Sequence, residues 1–179
     1  MLGKNEFLLH IISLIICIAS FTDLVKGKIY NWLTLPAIVL GIYFNFYFSG
    51  FSGIGFSILG AIVALIFYGW IFYLKFMSGG DIKLLMVMGA WGGTRYAVEV
   101  GTLSIFVGGV MAVIALFFSG KILETFNKIY FFIMSVFLKE LKTQLPEIDR
   151  TESIPYGFAI SVAALWILLE NPFARFGIW

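Results

Sequence analysis

The segment Met77-Ser78-Gly79-Gly80-Asp81-Ile82-Lys83 is a polar break between two long apolar runs of the chain. Asp81 is one of three aspartates in the sequence, and it stands where the second of these runs begins. A carboxylate beside a hydrocarbon layer is costly, so it usually marks chemistry or transport rather than packing. Asp23 stands at the end of the first apolar run. These two acids are therefore the first candidates for a functional site.

The composition indicates a polytopic membrane protein. Of the 179 residues, 61% are hydrophobic and 12% are charged, and the mean hydropathy is +1.00. Several apolar runs approach or exceed the roughly 18–20 residues that a helix needs to cross a bilayer. The net charge of +2 is too small and too dispersed to indicate nucleic-acid binding. The single cysteine, Cys17, excludes an internal disulfide and a multi-cysteine zinc site, and we expect it to be a small packing residue.

The apolar runs predict an all-α membrane protein with six transmembrane helices. A hinge without charges at 49–53 separates the second run from the third, and the polar break around Asp81 separates the third from the fourth. The fourth run is the shortest and is expected to continue through Gly92 and Gly93 towards 98. The six spans are expected at 7–21, 32–48, 54–74, 82–91 with this continuation, 100–118 and 154–169.

Residues 119–153 differ in character from the spans. They hold ten charged residues, yet large apolar side chains recur at three- and four-residue spacing, as at Ile122, Phe126 and Ile129. This pattern predicts an amphipathic cytoplasmic helix that lies on the membrane surface between the fifth and sixth spans. The alternative, in which 129–138 crosses the bilayer, needs more than about ten uninterrupted apolar residues. We therefore expect one polytopic domain over 1–179, with 119–153 as its interfacial segment.

The distribution of basic residues orients the spans. With six spans, one set of loops holds nine lysines and arginines, and the opposite set holds three. The positive-inside rule then predicts that both termini lie outside and that the lysine-rich loops are cytoplasmic. Asp23 ends a helix running inward and Asp81 begins one running outward, so both are expected at the cytoplasmic edge. Pro155-Tyr156-Gly157 begins the sixth helix at the same edge. Trp91 is expected in an interfacial belt.

Two carboxylates at one depth suggest acid–base chemistry. Carboxylates that share a site cannot both ionise cheaply, so such a pair can activate a water and protonate a leaving group. This is the chemistry of aspartyl proteases. Lys83 lies about 200° around a helix from Asp81, so we expect it to point away as a positive-inside anchor, whereas Leu84 and Leu85 share the aspartate's side.

Three motifs resemble those of one family. The segment Ser78-Gly79-Gly80-Asp81-Ile82-Lys83-Leu84 is similar to the GxGD-x-K-L segment of type IV prepilin peptidases, which are intramembrane aspartyl proteases. Asp23 followed by Ile29-Tyr30-Asn31 resembles that family's first aspartate with its downstream I-P-N. The stretch Ile154-Pro155-Tyr156-Gly157-Phe158-Ala159-Ile160 resembles its P-Y-G-x-A-I segment. The motifs occur in the family's order, and the resemblance spans essentially the whole chain.

The resemblance implies a site and a substrate. Asp23 and Asp81 are the implied catalytic pair, with no metal and no cofactor. Seven residues are implied to support the site: Gly79, Gly80, Lys83, Asn31, Pro155, Tyr156 and Gly157. The implied substrates are pilin-like precursors, cut after a glycine that follows a basic leader, at the cytoplasmic face of the inner membrane.

The chain departs from the family pattern in three respects. Ser78 replaces the usual first glycine of GxGD, and Tyr30 replaces the usual proline. Longer members carry a cytoplasmic insert with paired Cys-x-x-Cys motifs, which is associated with zinc and with methylation of the new N-terminus. Since this chain has only Cys17, we expect a short, peptidase-only member of the tight-adherence pilus or related secretion type. Two other readings stay open: a small ion- or proton-coupled transporter that uses Asp23 and Asp81 as carriers, and a non-catalytic membrane scaffold.

Overall fold

The computed structural model describes residues 4–74, 77–120, 127 and 155–170. Within these residues the structure is helical, which confirms the all-α prediction for this part of the chain. Most of the segment 119–153 lies outside the described residues, so its predicted amphipathic helix stays a prediction. The helices are α1 (Lys4–Lys26), α2 (Asn31–Tyr73), α3 (Gly79–Ser119) and α4 (Tyr156–Glu170).

Two of these helices, α2 and α3, are long and apolar enough to cross a membrane. The chain divides into two compact units. The first comprises Met1–Gly108 and Pro155–Trp179, and it contains α1, α2, α4 and most of α3. The second comprises Gly109–Ile154 and contains the end of α3. All candidate site residues belong to the first unit.

Helix α2 folds back on itself at Gly50. The φ and ψ angles of Gly50 are 63° and −147°, a conformation that glycine adopts without the steric cost of a side chain. The Ser57 hydroxyl donates a hydrogen bond to the carbonyl oxygen of Gly41 over 3.5 Å. In a straight helix these residues would be about 24 Å apart. Helix α2 is therefore an antiparallel hairpin, and its break lies within the hinge predicted at 49–53.

Helix α3 folds back at Gly93, where φ is 74° and ψ is −171°. At the start of α3, Gly79 lies beside Phe72 of α2. Farther along α3, the Val98 carbonyl accepts a hydrogen bond of 2.7 Å from the Tyr68 hydroxyl, one turn of α2 away from Phe72. A straight helix would place Gly79 and Val98 about 28 Å apart. Both ends of this stretch therefore lie near the same end of α2, and α3 is a second hairpin.

The ranges 4–74, 77–120 and 155–170 thus contain six helical segments, but some predicted details are wrong. The fourth apolar run ends at Gly93 and does not continue towards 98, because the positive φ of this glycine interrupts the helix. Helix α1 ends at Lys26, so Asp23 lies in its last turn, as the sequence predicts. Cys17 is exposed instead of packed inside.

Asn45 joins the two hairpins in their shared core. Its side-chain Nδ2 donates to the carbonyl oxygens of Ala90 and Trp91, over 3.1 Å and 3.3 Å, and to that of Gly41. Ala90 and Trp91 stand at the end of the α3 segment that precedes Gly93. Because the helix breaks there, their carbonyl oxygens lose the N–H groups four residues later that would bond to them in a continuous helix. Trp91 is fully buried and donates from Nε1 to the Ala37 carbonyl over 2.8 Å, so its predicted interfacial position is wrong. Such bonds compensate for burying polar backbone groups in an apolar core.

Candidate active site

Asp23 lies in the last turn of α1 and is only 6% exposed. Its Oδ2 accepts a hydrogen bond of 3.1 Å from the backbone N–H of Phe158, in the first turn of α4. This N–H is shared with the carbonyl oxygen of Pro155, which accepts it over 3.2 Å, and the helix dipole favours a negative charge at that end of α4. The start of α4 can therefore stabilise and orient the Asp23 carboxylate, although Phe158 and Asp23 are 135 residues apart in the sequence.

Asp81 lies in the first turn of α3 and is 4% exposed. Its Oδ2 accepts a hydrogen bond of 2.8 Å from the backbone N–H of Ser78, just before the helix. The next two residues on its side, Leu84 and Leu85, are fully buried, as the sequence predicts. Asp81 is thus held by its own helix start, whereas Asp23 is held by a different helix.

The helix ends that carry the two carboxylates converge. Asp23 and Asp81 interact through their charges. A Cβ atom on Gly157 would lie 2.9 Å from the carboxyl carbon of Asp23 and 2.7 Å from Cδ1 of Ile29. A Cβ on Gly80 would lie 3.1 Å from Cβ of the same Ile29. The end of α1, the start of α3 and the start of α4 therefore converge around Ile29.

Lys83 and Asn31 form a contact beside this convergence. Lys83 Nζ donates a hydrogen bond of 2.8 Å to Asn31 Oδ1, which joins the start of α3 to the start of α2. Asn31 is exposed and Lys83 is half-buried. The sequence predicts that Lys83 is a membrane-edge anchor, and the bond shows that it also joins two helices.

The start of α4 contacts two residues of α3 that the sequence analysis did not single out, Ser104 and Gly108. Pro155 and Tyr156 are half-buried, and the Tyr156 ring packs against Gly108 of α3. The Tyr156 side chain also lies close to Ser104, which is fully buried. A serine inside an apolar helix is the sequence signal that could have indicated such a partner. Ile29 belongs to the motif Ile29-Tyr30-Asn31, but its apolar side chain gives no sign of the helix starts that it contacts.

A largely apolar cavity lies near Asp23. This cavity of about 280 Å³ lies between α1 and α4, and Ser20, Leu24 and Phe158 form part of its wall. It therefore provides room for an apolar group next to the residues that flank and hold Asp23. Among the described residues, no group of three or more His, Cys, Asp or Glu side chains is placed to hold a metal ion.

Comparison with known proteins gives one family. The family model for the type IV leader peptidase family matches residues 10–113, which include Asp23 and Asp81 but not Pro155 to Gly157. A prepilin leader peptidase/N-methyltransferase of Aeromonas hydrophila is 34% identical over 101 residues, which cover 52% of this chain and 34% of that protein. A protein of the same name from Aeromonas salmonicida (strain A449) is 32% identical over 101 residues, with the same coverage. The chain thus covers about a third of the length of these relatives. No solved structure matches it.

Proposed function

Because the chain belongs to the type IV leader peptidase family, we propose that it is a membrane aspartyl endopeptidase. Its substrates would be type IV pilin-like precursors, from which it removes the basic leader peptide. The observation that carries this proposal is the pair Asp23 and Asp81, two buried carboxylates on helix ends that converge around Ile29.

In the proposed reaction, Asp23 and Asp81 act together on the peptide bond after the leader. One carboxylate takes a proton from a water molecule, whose oxygen attacks the carbonyl carbon of the scissile bond. The other carboxyl group, which carries a proton, donates it as the carbon–nitrogen bond breaks. The leader leaves with a new carboxylate, and the mature pilin leaves with a new amino terminus. Such a pair divides acid and base roles because two adjacent carboxylates cannot both ionise cheaply.

The proposed membrane arrangement has six spans, one for each helical segment in the described ranges. Both termini would lie outside, and Asp23, Asp81 and the start of α4 would lie at the cytoplasmic face of the inner membrane. The bias of nine basic residues against three supports this orientation. A precursor whose basic leader stays in the cytoplasm would then present its cleavage site at the depth of the two acids.

The supporting residues have roles that follow from their contacts. Gly80 and Gly157 would allow α3 and α4 to approach Ile29 and Asp23 closely. Lys83 and Asn31 would fix the starts of α3 and α2 relative to each other through their hydrogen bond. Pro155 and Tyr156 would set the start of α4, whose Phe158 N–H holds Asp23. Gly79 begins α3 beside Phe72, where a Cβ would be in ordinary contact with the ring at 3.7 Å.

We also propose that the chain acts as a peptidase without N-methyltransferase activity, metal or cofactor. The relatives carry both activities in their names, and the proposal departs from them on one observation. The single cysteine cannot form the paired Cys-x-x-Cys motifs associated with the second activity. Residues 119–153 would lie on the cytoplasmic membrane surface, near the leader.

The test is cleavage of a co-expressed pilin-like precursor by Asp23→Asn, by Asp81→Asn and by the double variant. Asparagine keeps the size and an accepting oxygen but cannot exchange a proton, so each single variant should lose activity by about 10²–10⁴-fold. The double variant should be hardly slower than either single variant, because residues that act as a unit are not additive. Asp149→Asn, in the predicted cytoplasmic segment, is the control and should cleave normally.

The same experiment separates the proposal from its rivals. A scaffold should produce no shortened precursor with the wild-type protein. A transporter should likewise leave the precursor intact, and its acid-to-amide variants should alter ion or proton flux instead. Near-normal cleavage by either single variant, with the protein shown to be intact in the membrane, would refute the roles given to Asp23 and Asp81.

A further inference from the structure

Ser78 and Asp81 form a reciprocal hydrogen-bonded pair at the start of α3. The Ser78 carbonyl oxygen accepts bonds from the backbone N–H groups of Asp81 and Ile82, which makes Ser78 the residue that caps the helix. The Ser78 Oγ accepts a bond from the Asp81 N–H over 3.4 Å, and Asp81 Oδ2 accepts one from the Ser78 N–H over 2.8 Å. This arrangement is a capping box, with the carboxylate at the third helical position.

The capping box has a consequence for the carboxylate. In an ordinary capping box the acidic side chain has one role, which is to accept a hydrogen bond from the backbone N–H of the N-cap residue. Here the same Asp81 carboxylate is buried and interacts with the charge of Asp23. The cap fixes one oxygen of Asp81, so it also determines how the carboxyl group is turned towards Asp23. The bond from the Ser78 N–H to Asp81 Oδ2 is short. We infer that the bond from the Asp81 N–H to the Ser78 hydroxyl keeps the Ser78 backbone in the position from which it donates.

We propose that Ser78 is a positioning residue, which orients Asp81 for reaction by capping α3. This inference rests on the proposed peptidase function. The proposed role requires a residue at position 78 that caps helices well. It does not require that this residue be small. Ser78 is exposed, so a larger side chain has room there. Serine and asparagine are strong N-cap residues, threonine and glycine follow closely, and alanine is poor.

A requirement for helix capping at position 78 and a requirement for a small side chain there predict opposite orders of activity among the variants. If capping matters, Ser78→Asn and Ser78→Thr should retain most of the activity, whereas Ser78→Ala should lower kcat about fivefold. If only small size matters, Ser78→Ala should be active and Ser78→Asn should be slow. Because the proposed effect acts on the orientation of Asp81 and not on substrate contacts, KM should stay unchanged in Ser78→Ala.

The experiment measures kcat and KM of the purified, membrane-reconstituted variants on a pilin-like precursor. Ser52→Ala is the matched control, because the exposed Ser52 hydroxyl bonds only to the carbonyl of Ser49 near the Gly50 break. The pair Ser78→Thr and Ser78→Val serves as a second comparison, since the two side chains have the same shape and only threonine has a hydroxyl. Threonine should be faster than valine.

Several results would overturn the proposal. One is equal kcat in Ser78→Ala and the wild type, and another is an order that follows side-chain size. Failure of both Ser78→Ala and Ser78→Val to insert would overturn it too, because the role would then be structural. A wild-type protein that cleaves nothing would instead refute the proposed function itself, which Asp81→Asn tests separately.

Discussion

Gly157→Ala is expected to disturb the site while leaving the fold intact. Gly157 lies in the first turn of α4, directly against Asp23. An added Cβ would lie 2.9 Å from both Cγ and Oδ2 of Asp23, and 2.7 Å from Cδ1 of Ile29. Carbon atoms in good contact are about 3.5–4.0 Å apart. The carboxylate or the start of α4 must therefore move by roughly 0.6–1 Å to accept the methyl group.

A displacement of this size should be costly for catalysis. A misplacement of about 1 Å in a reacting group can slow an enzyme by about 100-fold, so we expect a loss of about 10- to 100-fold in kcat. The helix itself should not suffer, because alanine is a better helix former than glycine by about 1 kcal/mol. The assay is cleavage of a pilin-like precursor by reconstituted protein, with membrane insertion and thermal stability measured in parallel.

Two further variants identify the cause. Gly69→Ala is the matched control, because a Cβ at this helical glycine would have no neighbour within 4 Å. It should cleave at the wild-type rate. Combining Gly157→Ala with Ile29→Val removes the contact to Cδ1 of Ile29 but keeps the one to Asp23, so the double variant should remain slow. Wild-type activity in Gly157→Ala would refute this reasoning, and full recovery in the double variant would show that Ile29 is the obstacle.

Three other predictions concern packing, topology and product. Gly89→Ala would push a Cβ into the backbone of Gly60, so it should destabilise the protein by about 1–3 kcal/mol in thermal unfolding. Gly55→Ala is the control, because a Cβ there meets no neighbour, and it should leave the stability unchanged. Equal stability of the two variants would contradict the close packing of α2 and α3. Single cysteines in a Cys17→Ser background should be labelled only from the cytoplasm at 142 and only from outside at 52, and labelling of 142 from outside would reverse the orientation. Mass spectrometry of the cleaved pilin should show an unmethylated N-terminus, and methylation by the purified protein with a methyl donor would disprove the peptidase-only proposal.

The sequence predicted the local features of the fold well, because these depend on residues close together in the chain. Long apolar runs indicated helices, and the glycine-containing hinge at 49–53 contains the break in α2. The second break was placed several residues too late. Gly92 and Gly93 stand inside an apolar run, and hydropathy alone does not show which glycine adopts a positive φ. Hydropathy therefore predicts that helices form more reliably than it predicts where they end.

The core contacts could not be predicted from the same patterns. Trp91 was expected at a membrane interface because tryptophan prefers such positions. Its burial depends on the Ala37 carbonyl, 54 residues away, which accepts its N–H. Asn45 likewise satisfies carbonyls that become free only because the chain turns at Gly93. A single sequence contains no local sign of which polar group meets which carbonyl after two hairpins have packed.

The two aspartates show this limit most clearly. The holder of Asp81 is Ser78, three residues earlier, so its capping box can be read from the spacing of a serine and an acid. The holder of Asp23 is the N–H of Phe158, 135 residues later, which any residue except proline could supply. Both donors are backbone N–H groups, but the sequence marks the first by a local spacing of serine and acid, and it gives no local sign of the second. Replacing the Phe158 side chain should accordingly leave the bond to Asp23 in place, whereas any change that shifts the start of α4 should release it.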